Sequence, residues 1–415
     1  MLGRILRNKF IKGGFLLSVS TVIVNFFHYF FHVLSARAVG PVGYGEIVSV
    51  FSYLAIASIP FSTIPAMLIR RLGYAGKRRA EVARAIEIWA LFKLKQWWLL
   101  AVVLFLLAFV IPSVTKLSLA ASFILVFAVY FGLMNTVYMA LLNGLQLFAE
   151  ASIVAVISAG IKLSGAAIAF IGFAGLRGIY TGLGASILFG ILYGRHILTH
   201  QKQHPKKTYT FDRRLRSVLL ETSTLLTSFS LLGIVFLGNV DIIYVKKFFP
   251  DDQAGIYGAW SLFAKTLFYF LGPINALTLI FFSAKETKKN QTKTMYAVLC
   301  LLVLTGISAW GLYTIFSRQL VAVILGKEFS VIAQLLPQAA IFGILYAACN
   351  IMNNYFVARK HKAQIVGFLA VPIYIVSLFF MGTSVQSIIQ VNISYSAALA
   401  GAYIFIFLSS RYKTA

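Results

Sequence analysis

The stretch SARAVGPVGYG (residues 35–45) ends an apolar run on a basic residue, breaks at Gly-Pro and restarts on Gly-Tyr-Gly. A second stretch, KKFFPDDQAGIYG (residues 246–258), repeats that punctuation around Pro250 and closes on Gly258, 213 residues after Gly45. The chain has 415 residues, so one turn is written once per half. At the same offset Pro60 falls on Pro273, and 210 residues separate Asn143 from Asn353 in the related stretches 141–157 and 351–367. Features recurring in the same order at nearly constant spacing predict a duplicated architecture, in which each motif closes the first span of a half and launches the second.

Composition says what is duplicated. Hydrophobic residues make up 60% of the chain and charged residues 12%, against about 25% charged in an ordinary soluble domain. Apolar runs long enough to cross a bilayer follow one another from end to end. Twelve spans are expected, near 14–36, 45–69, 88–112, 118–142, 150–173, 176–198, 218–245, 255–283, 294–316, 331–357, 363–382 and 385–410. The N-terminal run is too long for a signal-peptide core and reads as an uncleaved first helix. Cys300 and Cys349 fall inside apolar runs and offer neither a disulfide framework nor a zinc spacing.

The 37 Lys and Arg against 11 Asp and Glu do not form a nucleic-acid surface, because they sit in short loops between apolar runs. Twenty-six of them lie on one side of the expected bilayer and seven on the other, which places both termini in the cytoplasm of a multi-pass protein of the cytoplasmic membrane. The longest polar segment, residues 195–216, falls at mid-chain. The expected organisation is a six-helix lobe over 1–200, a basic linker over 201–216 and a second six-helix lobe over 217–415. Parallel repeats of this kind mark transporters, with the substrate site between the repeats near the midplane.

Polar residues inside spans point to that site. Ser18, Thr21, Asn25, His28, His32 and Ser35 share one face of the first span at spacings of 3 and 4, either for helix contacts or as the wall of a wet cavity. Ser261, Lys265, Gly272 and Asn275 share a face of the eighth. Lys162 in the fifth span and Lys265 lie too deep to snorkel, and the span centres hold almost no carboxylates. Buried lysines without acidic partners point to an anionic ligand. Asp241 is expected to pair with Lys246 or Arg37, the alternative being a protonatable coupling site. His28 and His32 lack the further ligands of a metal site. No phosphate-binding G-x-x-x-x-G-K-[ST] loop occurs, and Gly178-x-x-x-Gly182 reads as a close helix contact.

At this point the residues resemble a family. SARAVGPVGYG followed by MLIRR, GNVDIIYVKKFFPDDQAGIYGAWSLFAK, and NGLQLF followed by SAGIKLSGAAIAFIGFAGLRG are similar to helices one and two, seven and eight, and four to six of the polysaccharide flippases. These belong to the multidrug/oligosaccharidyl-lipid/polysaccharide (MOP) exporter superfamily. The resemblance implies an all-α, V-shaped transporter of two six-helix lobes, related to the multidrug exporters (MATE), that is not an enzyme and needs no cofactor. Its substrate would be a polyprenyl-pyrophosphate-linked glycan, flipped by alternating access for surface polysaccharide synthesis. Polymerases and glycosyltransferases of the same pathway are implied as partners. Arg37, Arg70 and Lys265 fall where family members often carry basic residues, and Lys162 lies in the matching fifth helix. Two alternatives are an ion-coupled drug or cation antiporter and a membrane glycosyltransferase or polymerase. The first would need intramembrane carboxylates, and the second a large outer loop or carboxylates near the outer face.

Overall fold

The structure, a computed structural model, describes residues 9–61, 64–200, 222–272, 274–275, 278, 282 and 288–412. Every regular element among them is helical. Among the described residues nine helices are long and apolar enough to cross a membrane, or ten if the bent pair Leu225–Leu237 and Val240–Phe248 is one span. The first, α1 (Lys9–Ala57), has a 42-residue apolar stretch made of two helical runs that meet at Gly40. It holds the first expected span and the beginning of the second. The eighth expected span begins as the 20-residue helix Asp251–Phe270. The expected twelve helices are roughly matched.

Two spans are built differently from their expected form. The third does not start at 88: a separate helix Arg79–Gln96 ends at Trp97 (φ −88°, ψ 24°), and the apolar helix Trp98–Thr115 follows. At that break the Leu94 carbonyl accepts a hydrogen bond from the Tyr130 hydroxyl at 2.9 Å. The second is interrupted after Ala57 by a short 3₁₀ turn, Ile59–Phe61, before Ile64–Tyr74 resumes. Pro60 in that turn lacks the N–H that a continuous helix needs. Its repeat partner Pro273, and the linker at 201–216, lie outside the described residues.

The chain forms two compact units, one of Met1–Val39 with Ala57–Glu221, the other of Gly40–Ile56 with Thr222–Ala415. The boundary inside α1 falls at Gly40, the helix's one non-helical residue (φ 64°, ψ −173°). Glycine tolerates that left-handed φ, and Pro41 restarts the helix with a preset φ.

In the first unit, Phe148–Phe170 packs on Gly175–His200 through glycines. A Cβ on Gly165 would stand 2.7 Å from the Gly178 carbonyl, and one on Gly182 would stand 2.8 Å from Gly165 Cα. That is the close approach expected of the Gly178/Gly182 pair.

In the second unit the two sequence motifs meet. A Cβ on Gly45 would lie 2.7 Å from Gly255 N, one on Gly255 1.7 Å from Pro41 O, and one on Gly258 2.4 Å from Val48 Cγ2. The repeated glycines thus remove side chains so that residues 41–48 and 251–270 can touch backbone to backbone. Tyr44 and Tyr257, equivalent in the repeat, are both fully buried. Trp260 fixes the other side of this helix, stacking on Phe342 and donating Nε1–H to Leu335 O at 3.0 Å.

Candidate functional site

The polar stripe of α1 grades from exposed to buried in the first unit. Ser18 and Thr21 are exposed, and Thr21 Oγ1 already donates to Leu17 O at 2.7 Å. Asn25, His28 and His32 are half-buried, and Ser35 is fully buried with no hydrogen bond to its Oγ. His32 meets Phe31 edge-on at 5.3 Å.

His28 is where the stripe finds its partner. Lys162 lies 14 residues, about 21 Å, along its helix from Phe148 and is 6% exposed. Its Nζ is 2.9 Å from His28 Nδ1 and 4.2 Å from the centre of the Phe31 ring. An ammonium has only donors, so Nδ1 accepts and the imidazole proton resides on Nε2. The ring face beneath adds a cation–π contact of about 2 kcal/mol at a desolvated site. Histidine and aromatic ring are thus two of the groups that meet this side chain. The pairing spans 134 residues, and the i, i+3, i+4 pattern of the first span showed the face but not its partner.

Arg37 and Arg70, the two other basic candidates of this unit, are exposed. Arg70 Nε hydrogen-bonds Tyr74 Oη at 3.3 Å, and its guanidinium lies 5.6 Å from that ring.

In the second unit Asp241 opens the helix Val240–Phe248 and is completely buried. The expected pairing with Lys246 does not form. Lys246 Nζ bonds Asp251 Oδ1 at 2.5 Å instead, across the Pro250 turn. Asp241 Oδ2 accepts from the Tyr257 hydroxyl and from Asn392 Nδ2, the latter at 2.9 Å. Asn392 Nδ2 also reaches Tyr257 Oη at 2.6 Å, and its Oδ1 accepts from Tyr374 Oη at 2.6 Å. Four side chains from four helices thus form a buried polar cluster, in which Asp241 Oδ1 has no side-chain donor among the described residues. Tyr257 belongs to the repeated motif, but its role here was not legible from it.

Lys265 and Ser261 stand one turn apart on Asp251–Phe270, as their spacing predicted. Ser261 is 1% exposed, and among the described residues its Oγ has no hydrogen-bond partner. Lys265 is half-buried, 14 residues and about 21 Å along the helix from Asp251. Among the described residues its ammonium makes no hydrogen bond or ion pair; Asp241 is the charge that acts on it, from beyond ion-pair reach. Asn275 is taken up within the protein, its Oδ1 accepting from Asn354 Nδ2 at 2.8 Å. Asn353, the repeat partner of Asn143, accepts from Ser230 Oγ at 2.7 Å and Tyr403 Oη at 3.1 Å, so it braces helices.

A buried carboxylate held by neutral donors and a separate mid-helix ammonium with an unpaired hydroxyl can do two different things. The first can hold a proton or cation, and the second can receive an anion.

No protein-family model matches the chain, and no curated protein matches it in sequence. Solved structures match it over nearly its whole length. An inward-facing multidrug resistance MATE transporter of the MOP superfamily aligns over 95% of this chain and 96% of its own, with a TM-score of 0.70 and 13% identity. The lipid II flippase MurJ in an inward closed conformation aligns over 95% and 87%, with a TM-score of 0.69 and 15% identity. A MOP superfamily transporter from Pyrococcus furiosus, described by a reversed polarity of its binding pocket, aligns over 97% and 95% with a TM-score of 0.59 and 14% identity. The chain has the fold of the MOP transporters.

Proposed function

We propose that this protein is a flippase that carries a polyprenyl-pyrophosphate-linked oligosaccharide from the cytoplasmic to the outer leaflet by alternating access. The observation that supports this reading is Lys265, an ammonium deep in a helix that makes no hydrogen bond or ion pair among the described residues, beside the Ser261 hydroxyl, which also lacks a hydrogen bond among them. An unpaired charge at that depth costs several kcal/mol unless a ligand or water receives it. A diphosphate supplies that anion, and the hydroxyl and amide groups of the first span suit a glycan. Lys162, held by His28 and Phe31, is a second buried positive charge. Arg70 would meet the headgroup on the basic, cytoplasmic side, and Arg37, which follows the first span, on the opposite side. Likeness in fold to a lipid II flippase fits this reading.

Deleting the gene in its host tests the proposal. Lipid-linked sugar accumulating in the cytoplasmic leaflet supports flipping; loss of its synthesis points to an enzyme. One observation favours a second reading, an ion-coupled antiporter: Asp241 is a buried intramembrane carboxylate, which such an exporter requires. Reconstituted vesicles separate the two, since an antiporter exchanges an organic cation against an ion gradient and a flippase does not.

A further inference from the structure

The displaced start of the third span creates a feature that the transport reading leaves unused. Trp98–Thr115 is 18 residues, about 27 Å long, close to the thickness of a hydrocarbon core. It is almost bare: only Ala108 and Thr115 are buried, while Leu99, Val102, Val103, Phe105, Leu106 and Phe109 are each more than 40% exposed. Such a helix faces lipid. At its N-terminal end come, in order, Lys93, Lys95, Gln96, Trp97 and Trp98. Lys95 and Gln96 are exposed, as are both tryptophans, at 43% and 60%. Lys93 Nζ hydrogen-bonds Gln96 Oε1 at 2.7 Å, a neutral partner that leaves its charge uncompensated. Leu99, Val102 and Leu106 follow Lys95 at spacings of 4, 3 and 4, so the apolar stripe leads to that ammonium.

We propose that the break at Trp97 is a binding site for an anionic phospholipid. Its phosphate meets Lys95, from which the apolar stripe runs, while Lys93, on another flank of the same helix turn, adds positive field; Trp97 and Trp98 lie at the glycerol level, and the acyl chains run along Trp98–Thr115. Charge complementarity selects the occupant. The two cations have no acidic partner among the described residues, tryptophan favours the bilayer interface, and the apolar helix that follows matches a lipid tail in length and exposure. A free phosphate would use the lysines but not the bare helix, and a zwitterionic lipid would use the helix but gain little from the lysines.

Native mass spectrometry of the purified full-length protein tests this, with phosphatidylglycerol, phosphatidylcholine or inorganic phosphate added. Phosphatidylglycerol adducts should dominate. The double variant Lys93→Ala/Lys95→Ala should bind that lipid about thirtyfold more weakly, each lysine contributing about fivefold at an anionic surface. Lys93→Arg/Lys95→Arg should retain it, and Lys77→Ala/Arg78→Ala, which removes two other exposed cations, should leave it unchanged. Equal retention of phosphatidylcholine, binding of inorganic phosphate as strong as that of the lipid, or equal loss in the Lys77/Arg78 variant would each overturn the assignment. The arginine pair guards against misfolding, because it keeps the charge while changing the side chain.

Discussion

Replacing Tyr257 by Phe removes one oxygen from the buried cluster around Asp241 and leaves the ring in place. The hydroxyl donates to Asp241 Oδ2 and lies 2.6 Å from Asn392 Nδ2. After the change Asp241 Oδ2 keeps the Asn392 amide but loses the phenolic donor. A hydrogen bond to a charged group contributes about 1.5–3 kcal/mol, and the ring itself loses no apolar contact. For a cooperative unit of this size, about 2 kcal/mol corresponds to a fall of roughly 4–8 °C in melting temperature. Scanning fluorimetry of purified protein in one detergent reads the shift directly. The carboxylate is what the hydroxyl serves, so Asp241→Asn should blunt the effect. In the Asp241→Asn background, Tyr257→Phe should cost at least about 1 kcal/mol less than in the wild type, a non-additivity expected of groups in direct contact. Equal losses in both backgrounds, or a Tyr257→Phe protein melting within 1 °C of the parent, would refute the idea that this cluster stabilises a buried acid.

Other perturbations probe the remaining features. Gly255→Ala places a methyl carbon 1.7 Å from Pro41 O, a clash with backbone that no rotamer relieves; destabilisation of about 3 kcal/mol or more is expected, measured by the same melting assay. Gly182→Leu should act similarly in the first unit, while Gly311→Ala, whose Cβ meets nothing within 4 Å, should be within about 0.5 kcal/mol of neutral. In a flipping assay on reconstituted vesicles, Lys265→Gln should lower the rate more than tenfold and Lys265→Arg should preserve most of it; an unimpaired Gln variant would remove Lys265 from the substrate path. His28→Ala takes away the Lys162 acceptor at 2.9 Å and should cost about 2 kcal/mol of stability, with His28→Gln recovering part through its carbonyl.

Much of the architecture was legible because the bilayer imposes it. Apolar length gave the spans, and the spacing of glycines gave both the repeat and the close helix contacts. The site was legible only as a set of faces. Lys162 and His28 stood out individually, but sequence spacing carries no information about a partner 134 residues away on another helix. Asp241 is expected from sequence to pair with Lys246 or Arg37, or to be a protonatable coupling site, because a carboxylate attracts the cations near it. The fold instead sends Lys246 forward to Asp251 and surrounds Asp241 with donors from positions 257 and 392. A signal for the late start of the third apolar helix was present in Lys93, Lys95 and the Trp97-Trp98 pair, residues that hydrocarbon disfavours and interfaces favour.

The unit boundary at Gly40 bears on biogenesis. Residues 40–56 leave the ribosome about two hundred residues before the helix Asp251–Phe270 whose glycines they meet. At about 5–20 residues per second, that early segment waits roughly 10–40 s for its mate. Severing the gene at the linker would therefore yield neither unit intact: the leading fragment would carry an orphan helix, and the trailing one would lack its first.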